Sequence, residues 1–503
     1  MVSYLVRRLL LMIPTLIGVT LLVFLLVGLS PGGIGAGLND SGGMEASAGR
    51  AAQRAYLEDR YGLNDPILVQ YVRWLARISP IKFGPRDQIT PDGERFTMPR
   101  ELSPPPLAGA WYPQPPRQSR PPLPPPTAEH DEAHRRVSAA FAHARAEYGA
   151  ACAKLESSLR RYAQDAGWKD AFDRAGQLNM NVMRQRAPDP ALGDVAAIRE
   201  AGEQALLAYE AALDARAELA ALFRARRFPE AGLPLIPGIV SLDAPDLGHS
   251  FSRGEPVAAL IARHLPITLL LNILAFAIIY PIAISGGLLA AARHGTWIDR
   301  LLGSLFIALW SVPTMWAGVL AIGWLADKNS LGCFPVSGLH DVDAESFRFL
   351  PSVQDGRFHR GYLLDALWHL CLPVACLAYG GFALLARQTR AAVLESLRAD
   401  YVRTARAKGA SERDVLLRHA FRNSLLPLIT MFAGVFPAML SGSVVIERIF
   451  SIPGMGSLII DAIFERDREV LLANALIIGI VNVVALLIAD VLYAMADPRI
   501  RYA

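Results

Sequence analysis

Six blocks of apolar residues divide the chain, at 9–29, 265–292, 301–326, 366–386, 425–446 and 471–494. Each is close to the ~20 residues that cross a hydrocarbon core ~30 Å thick. Only a helix satisfies all its backbone groups within one such segment, so the pattern predicts six transmembrane helices. Pro14, Pro281, Pro313, Pro373 and Pro437 fall inside the blocks and predict kinks, tolerated where neighbouring helices, side chains or water satisfy the freed carbonyls. The first block follows Arg7 and Arg8 as a signal peptide would. Its apolar run is longer than a signal h-region and no small-x-small site ends it, so a retained helix is expected.

The polar stretch between the first two blocks, 31–264, reads differently. Residues 55–77 predict an amphipathic helical segment anchored by Tyr56, Leu57, Tyr61, Leu63, Tyr71 and Trp74. From Pro104-Pro105-Pro106 to Pro124-Pro125-Pro126 the proline content excludes helix and central strand, and predicts an extended polyproline-type strap. Residues 128–227 are rich in Ala, Arg and Glu and read as helix. Val137, Phe141, Ala144, Tyr148, Cys152, Leu155, Leu159 and Tyr162 form one stripe at three- and four-residue steps. Val195, Ile198, Ala205, Tyr209, Ala212, Leu219 and Phe223 form a second, interrupted by Gly202 and Arg216. Pro188 and Pro190 separate the two, which predicts an antiparallel helical hairpin or small bundle. A solvated spacer and a surface for an extracytoplasmic partner are both open readings of it.

Composition supports the membrane class. Of the 503 residues 52% are hydrophobic and 19% charged, with mean hydropathy +0.29; a soluble chain carries more charge and scatters its apolar residues. Lys and Arg set the orientation. Arg7 and Arg8, Arg293 and Arg300, the run of Arg387, Arg390, Arg398, Arg403, Arg406, Lys408, Arg413, Arg418 and Arg422, and finally Arg499 and Arg501 all fall on one side of six spans. Both termini and two loops are thereby expected in the cytoplasm. The net charge of +4 follows from the same rule and calls for no nucleic-acid partner. The four cysteines form no C-x-x-C pair, so no metal or redox motif is expected, and a Cys152–Cys333 pairing stays open.

Motifs for chemistry are missing. The chain has no G-x-x-x-x-G-K-[ST] loop and no H-E-x-x-H, so no ATP site, catalytic residue or metal site of its own is expected. Gly28-Leu29-Ser30-Pro31-Gly32 fits G-x-S-x-G only by chance, because it ends a membrane span rather than a strand. His369 and His419 read as structural or surface residues, Asn272 and Asn482 as interhelical hydrogen-bonders. Asp490 lies near the end of the last block, where water or Arg499 is in reach.

The stretch 387–424 is the most informative. Asp400-Tyr401-Val402-Arg403-Thr404-Ala405-Arg406-Ala407-Lys408-Gly409 predicts a short helix broken at Gly409 and resumed at Ser411-Glu412-Arg413-Asp414. Thr404, Ala405, Ala407 and Gly409 are small enough for a partner to approach closely, and Arg403, Arg406 and Lys408 supply rim charges that set register. A basic helix lying on anionic lipid is the alternative.

This segment, continued by Leu417-Arg418-His419-Ala420 and Asn423-Ser424-Leu425-Leu426-Pro427, resembles the coupling loop of ABC importer permeases of the dipeptide/oligopeptide/nickel class. Four further stretches agree: Tyr4-Leu5-Val6-Arg7-Arg8 with Ser30-Pro31-Gly32; Tyr61-Gly62-Leu63-Asn64-Asp65-Pro66; Glu447-Arg448-Ile449-Phe450-Ser451-Ile452-Pro453-Gly454-Met455-Gly456; and Asp490-Val491-Leu492-Tyr493-Ala494 with Asp497-Pro498-Arg499. Arg403-Thr404-Ala405 stands where the general permease signature has Glu-Ala-Ala. The match resumes at Asp246-Leu247-Gly248, which makes about 79–243 an insertion.

The resemblance implies an all-α polytopic membrane protein with the type I ABC importer permease fold. Its parts would be a first span over 1–30, an extracytoplasmic region over 31–264 with the helical insertion, and a permease core over 265–503 with the coupling loop 387–424. It implies a bacterial inner-membrane subunit that pairs with a second homologous permease, two cytoplasmic ATPases and an extracytoplasmic solute-binding protein, embedded in lipid. ATP and Mg would be bound by the ATPases. Asp400, Tyr401, Arg403, Thr404, Ala405, Arg406, Lys408 and Gly409 would form the ATPase-coupling element. The alternative is a non-transport scaffold or sensor that uses the outer helical domain to bind a partner.

Overall fold

The computed structural model describes residues 2–29, 66–93, 95–113, 130–172, 178–236, 238–250, 252–354 and 357–496. The expected features at 30–65, the second half of the proline-rich strap and the terminal Asp497-Pro498-Arg499 lie outside the described residues. The chain divides into two compact units, Phe24–Leu247 and the pair Met1–Val23 with Gly248–Ala503.

Helix α1 (Val2–Leu29) opens the chain and carries Pro14 within it. In the central unit, α2 (Ile67–Ile78) buries Gln70, Tyr71, Trp74 and Ile78 on one side. Tyr71 meets Phe24 edge-on at 5.3 Å between ring centroids. The proline at 80 holds Ser79 extended and ends the helix there. Three short strands, β1 (Ile81–Phe83), β2 (Gln88–Ile89) and β3 (Arg95–Phe96), lead to the long helix α3 (His130–Asp165) and, after two short helical segments at Lys169–Ala171 and Met180–Arg184, to α4 (Val195–Arg224). Asp194 caps α4, accepting the Ala197 N–H at 2.9 Å. Strands β4 (Leu233–Ile236) and β5 (Val240–Leu242) complete a three-stranded antiparallel sheet in the order β1-β5-β4, while β2 pairs with β3.

Helices α3 and α4 run antiparallel, stripe on stripe. Val137 and Phe141 pack with Leu219, Leu222 and Phe223 at one end, Tyr148 with Ala212 at the middle, and Leu155 and Leu159 with Ile198, Ala205 and Leu206 at the other. Two readings of the sequence are corrected here. Gly202 and Arg216 do not interrupt the second stripe; they hold the segment that precedes the hairpin. A Cβ on Gly202 would lie 2.7 Å from the Tyr112 ring, so only glycine lets that ring seat. Arg216 donates to the carbonyls of Arg100 and Pro99. The described part of the strap is likewise not extended throughout: it turns at Leu107 (φ 63°). Just before it, the Tyr148 and Tyr209 hydroxyls donate to the carbonyls of Ser103 (2.6 Å) and Leu102 (3.2 Å).

In the other unit, α5 (Val257–Ala292) presents Leu271, Ala275, Ile279 and Ala283 at four-residue steps to the core it shares with α8 (Gly361–Leu397). Of these, Ala275 and Ala283 are small enough to let the helices approach closely. Between them lie α6 (Trp297–Ser311), α7 (Thr314–Ala321), which continues as a π turn over Ile322–Ala326, and the hairpin β6 (Ser352–Gln354)–β7 (Arg357–His359). The third apolar block is therefore not one gently kinked helix: α6 and α7 meet at 89°. Pro313 keeps Val312 extended, and the Val312 carbonyl that this frees accepts the Tyr379 hydroxyl of α8 at 2.7 Å.

The chain ends through α9 (Asp400–Ala407), α10 (Arg422–Ile449), α11 (Met455–Phe464) and α12 (Arg468–Ala496). Among the described residues, Val257–Ala292, Gly361–Leu397 and Arg468–Tyr493 are each long and apolar enough to cross a membrane, and the bent α6–α7 pair reaches that length and apolarity only when taken together as one span. Asn272, expected to bond between helices, donates instead to the Thr268 carbonyl of its own helix at 2.7 Å. All four cysteines are free.

Candidate coupling site

The segment expected as a loop at 387–424 is almost wholly helical, because α8 continues to Leu397 before the chain turns. Ala399 is extended (ψ 150°) and starts α9, with Asp400 in the first turn where the helix dipole favours an acid. Val402 and Ala405, three residues apart, are the buried positions of α9. The remaining residues are exposed, Tyr401 to 41% and the Arg403 side chain to 76%. Arg403 reaches Asp400 at 3.4 Å, and Arg406 grips Glu412 with two bonds of 3.0 and 3.1 Å.

The helix closes in a Schellman motif. The Gly409 N–H donates to Arg406 O (2.9 Å) and the Ala410 N–H to Ala405 O (3.2 Å), while Gly409 takes φ +82°. A side chain at 409 would meet open space, so glycine is required there by the backbone and not by crowding within the chain. Ser411 then caps the next turn: its Oγ accepts the Asp414 N–H (3.2 Å) and donates to the Asp414 carboxylate (2.7 Å). That hydroxyl, followed by the Arg418 charge, holds the Asp414 carboxyl below its usual range.

A π turn over Val415–Phe421 feeds directly into α10. Ala420 packs with Ala291 of α5 and Val393 of α8. Ser424 fastens the start of α10 to the end of α8, donating to Ala392 O at 3.1 Å and lying 3.0 Å from the Ser396 hydroxyl. The ends of α5, α8 and α10 are thereby joined next to α9.

Of the eight expected coupling residues, Asp400, Tyr401, Arg403, Thr404, Arg406, Lys408 and Gly409 are exposed on or just after α9. Ala405 differs: it faces inward beside Val402 and cannot meet a partner directly. Sequence reasoning missed two anchors. Asp299, at the start of α6, takes a two-pronged bond from Arg390 of α8 (2.6 and 2.8 Å) and the Gly295 N–H (3.0 Å). An acid two residues before the third apolar block was the available signal. The second anchor is Glu447, which is fully buried. It accepts the Thr268 hydroxyl (2.7 Å) and the N–H groups of Gly456 (2.7 Å) and Ser457 (3.1 Å), so a carboxylate from α10 caps the N-terminus of α11. Side chains at Gly454 or Gly456 would collide with it.

These features lie in a region with known relatives. Residues 283–502 match the family described as binding-protein-dependent transport system inner membrane component. A putative peptide transport system permease of Brucella abortus is 40% identical over 257 residues, covering 51% of this chain and 76% of its own. The oligopeptide transport system permease AppB of Bacillus subtilis is 41% identical over 259 residues, with the same coverages. The di/tripeptide transport system permease DppB of Pseudomonas aeruginosa is 37% identical over 262 residues, 51% of this chain and 77% of its own. A crystal structure of an amino acid ABC transporter with histidines overlaps 47% of this chain and 93% of its own at 15% identity and TM-score 0.32. The chain belongs to the peptide-transport branch of the binding-protein-dependent ABC importer permeases.

Proposed function

We propose that this chain forms half of the translocation path of an ATP-driven importer for peptides or related small solutes, with a second, similar permease forming the other half. In this reading six helices cross the bacterial inner membrane, with α1 and α10 added to the four recognised by length, and both termini are cytoplasmic. The region before α5 stands outside, where a solute-binding protein delivers the cargo. Two cytoplasmic ATPases bind ATP and Mg²⁺ and grip α9. The observation that carries the reading is α9 itself, a folded helix seated by Val402 and Ala405 with its polar residues and Ala407 turned outward.

Mechanism follows from the joints around it. Closure of the ATPases pulls α9, and a pull is transmitted only if the helix is fixed at both ends. The Schellman close at Gly409 and the Ser411 cap fix one end, and the Ser396–Ser424 pair ties α8 to α10 at the other. The Arg390–Asp299 bond carries the displacement to α6. The helices then rock as bodies between inward- and outward-open states. Affinity purification from the native membrane in mild detergent, followed by mass spectrometry, tests the assembly. Recovery of a second permease and of ATPase subunits is expected. A preparation free of ATPases, from cells that express them, overturns the proposal.

A further inference from the structure

The three-stranded sheet of the central unit has two faces of opposite character. Directly paired residues share a face, and the register sets Leu242 beside Ile81 and Leu233, and Val240 beside Phe83 and Ile236. One face is therefore six apolar side chains. Five of them are exposed, Phe83 to 79% and Leu233 to 68%, and Leu235 and Ile239 near the β4–β5 turn are exposed as well. The residues between them on β1 and β5 point the other way: Ser241 is buried, and the Lys82 ammonium donates to the carbonyls of Ala76 and Arg77. A sheet with one face in water shows the reverse, polar side out. An apolar surface of this extent marks an interaction site.

The same body contains the last turns of α1. Helix α2 packs on Phe24 through Tyr71 and Trp74, and Ile67 lies 3.7 Å from where a Gly28 Cβ would stand. Only Ser79 and Pro80 separate α2 from β1, and the bonds Asp243 N–H to Pro80 O (2.8 Å) and Asp246 N–H to Arg77 O (3.2 Å) lock the sheet to α2. Leu26 on α1 and Leu68 and Val72 on α2 are exposed apolar residues of the same unit. Among the described residues, the six paired positions of this face carry no charged or hydrogen-bonding side chain, whereas a protein interface has a polar rim and regular hydrogen bonds. Strand addition at the β4 edge is blunted by Pro234, which has no N–H to donate.

We propose that this sheet face and the β4–β5 turn are immersed in the lipid interface of the bilayer where α1 ends, anchoring the central unit to the membrane surface. The inference rests on the reading of α1 as a membrane span. The test places the photo-crosslinker p-benzoylphenylalanine at Leu235 or Ile239 of the full chain in its native membrane. Leu26 on α1 serves as reference, and Leu207, exposed on α4 of the same unit, as the water-facing control. Phospholipid adducts are expected at 235, 239 and 26, at yields roughly tenfold above Leu207 for a surface held by apolar burial. Lipid adducts at 26 with protein adducts, or only control yields, at 235 and 239 overturn the anchor while leaving the span intact. Control yields at 26 as well overturn the span and the anchor together.

Discussion

Two residues show how a single side chain decides a local structure here. Gly409 adopts a left-handed conformation so that two N–H groups close α9. A β-branched residue there pays roughly 1–2 kcal/mol of backbone strain, which loosens the helix end without blocking any space in the chain. Gly409→Val is therefore expected to reduce uptake per ATP hydrolysed in proteoliposomes while the subunits still co-purify, and Gly409→Asn, which tolerates this conformation, to retain most of it. Unchanged coupling in Gly409→Val removes Gly409 from the coupling element. The legibility of these positions differs. Gly409 was readable because glycine after a charged helical run is a stop signal. Gly202 was read as a gap in a stripe, since a sequence does not reveal that the Tyr112 ring, 90 residues earlier, needs the space.

At the scale of elements, buried polar caps organise the second half of the chain. Glu447 satisfies the Thr268 hydroxyl and two N–H groups of α11, tying α5, α10 and α11 at one point. Glu447→Ala leaves these groups buried without an acceptor, at about 1–3 kcal/mol for each. A clear fall in the melting temperature of the detergent-solubilised protein is expected, with Glu447→Gln losing less because its amide oxygen still accepts. Equal melting of Glu447→Ala and the parent contradicts the capping role. The helices themselves were legible from apolar blocks and three- and four-residue stripes. The right-angle break between α6 and α7 was not: Pro313 announces an interruption but not its angle, and the freed Val312 carbonyl finds its donor, the Tyr379 hydroxyl, on a distant helix. The short hairpin β6–β7 left no sequence signal, being only three residues per strand.

On the scale of the whole molecule, the chain divides into a unit that holds the long apolar helices α5, α8 and α12 with the exposed helix α9, and a second unit with its own core of paired helices. In the proposed function α9 is held rigidly so that an ATPase can move it. The most direct measurement is p-benzoylphenylalanine cross-linking from Tyr401, exposed on α9, in membranes containing the assembled transporter, with Val342, exposed between α7 and α8, as control. The account predicts a covalent adduct between Tyr401 and an ATPase subunit and none from Val342. An adduct from Tyr401 to phospholipid alone, with the ATPases present, would make α9 a helix lying on the membrane and contradict the account.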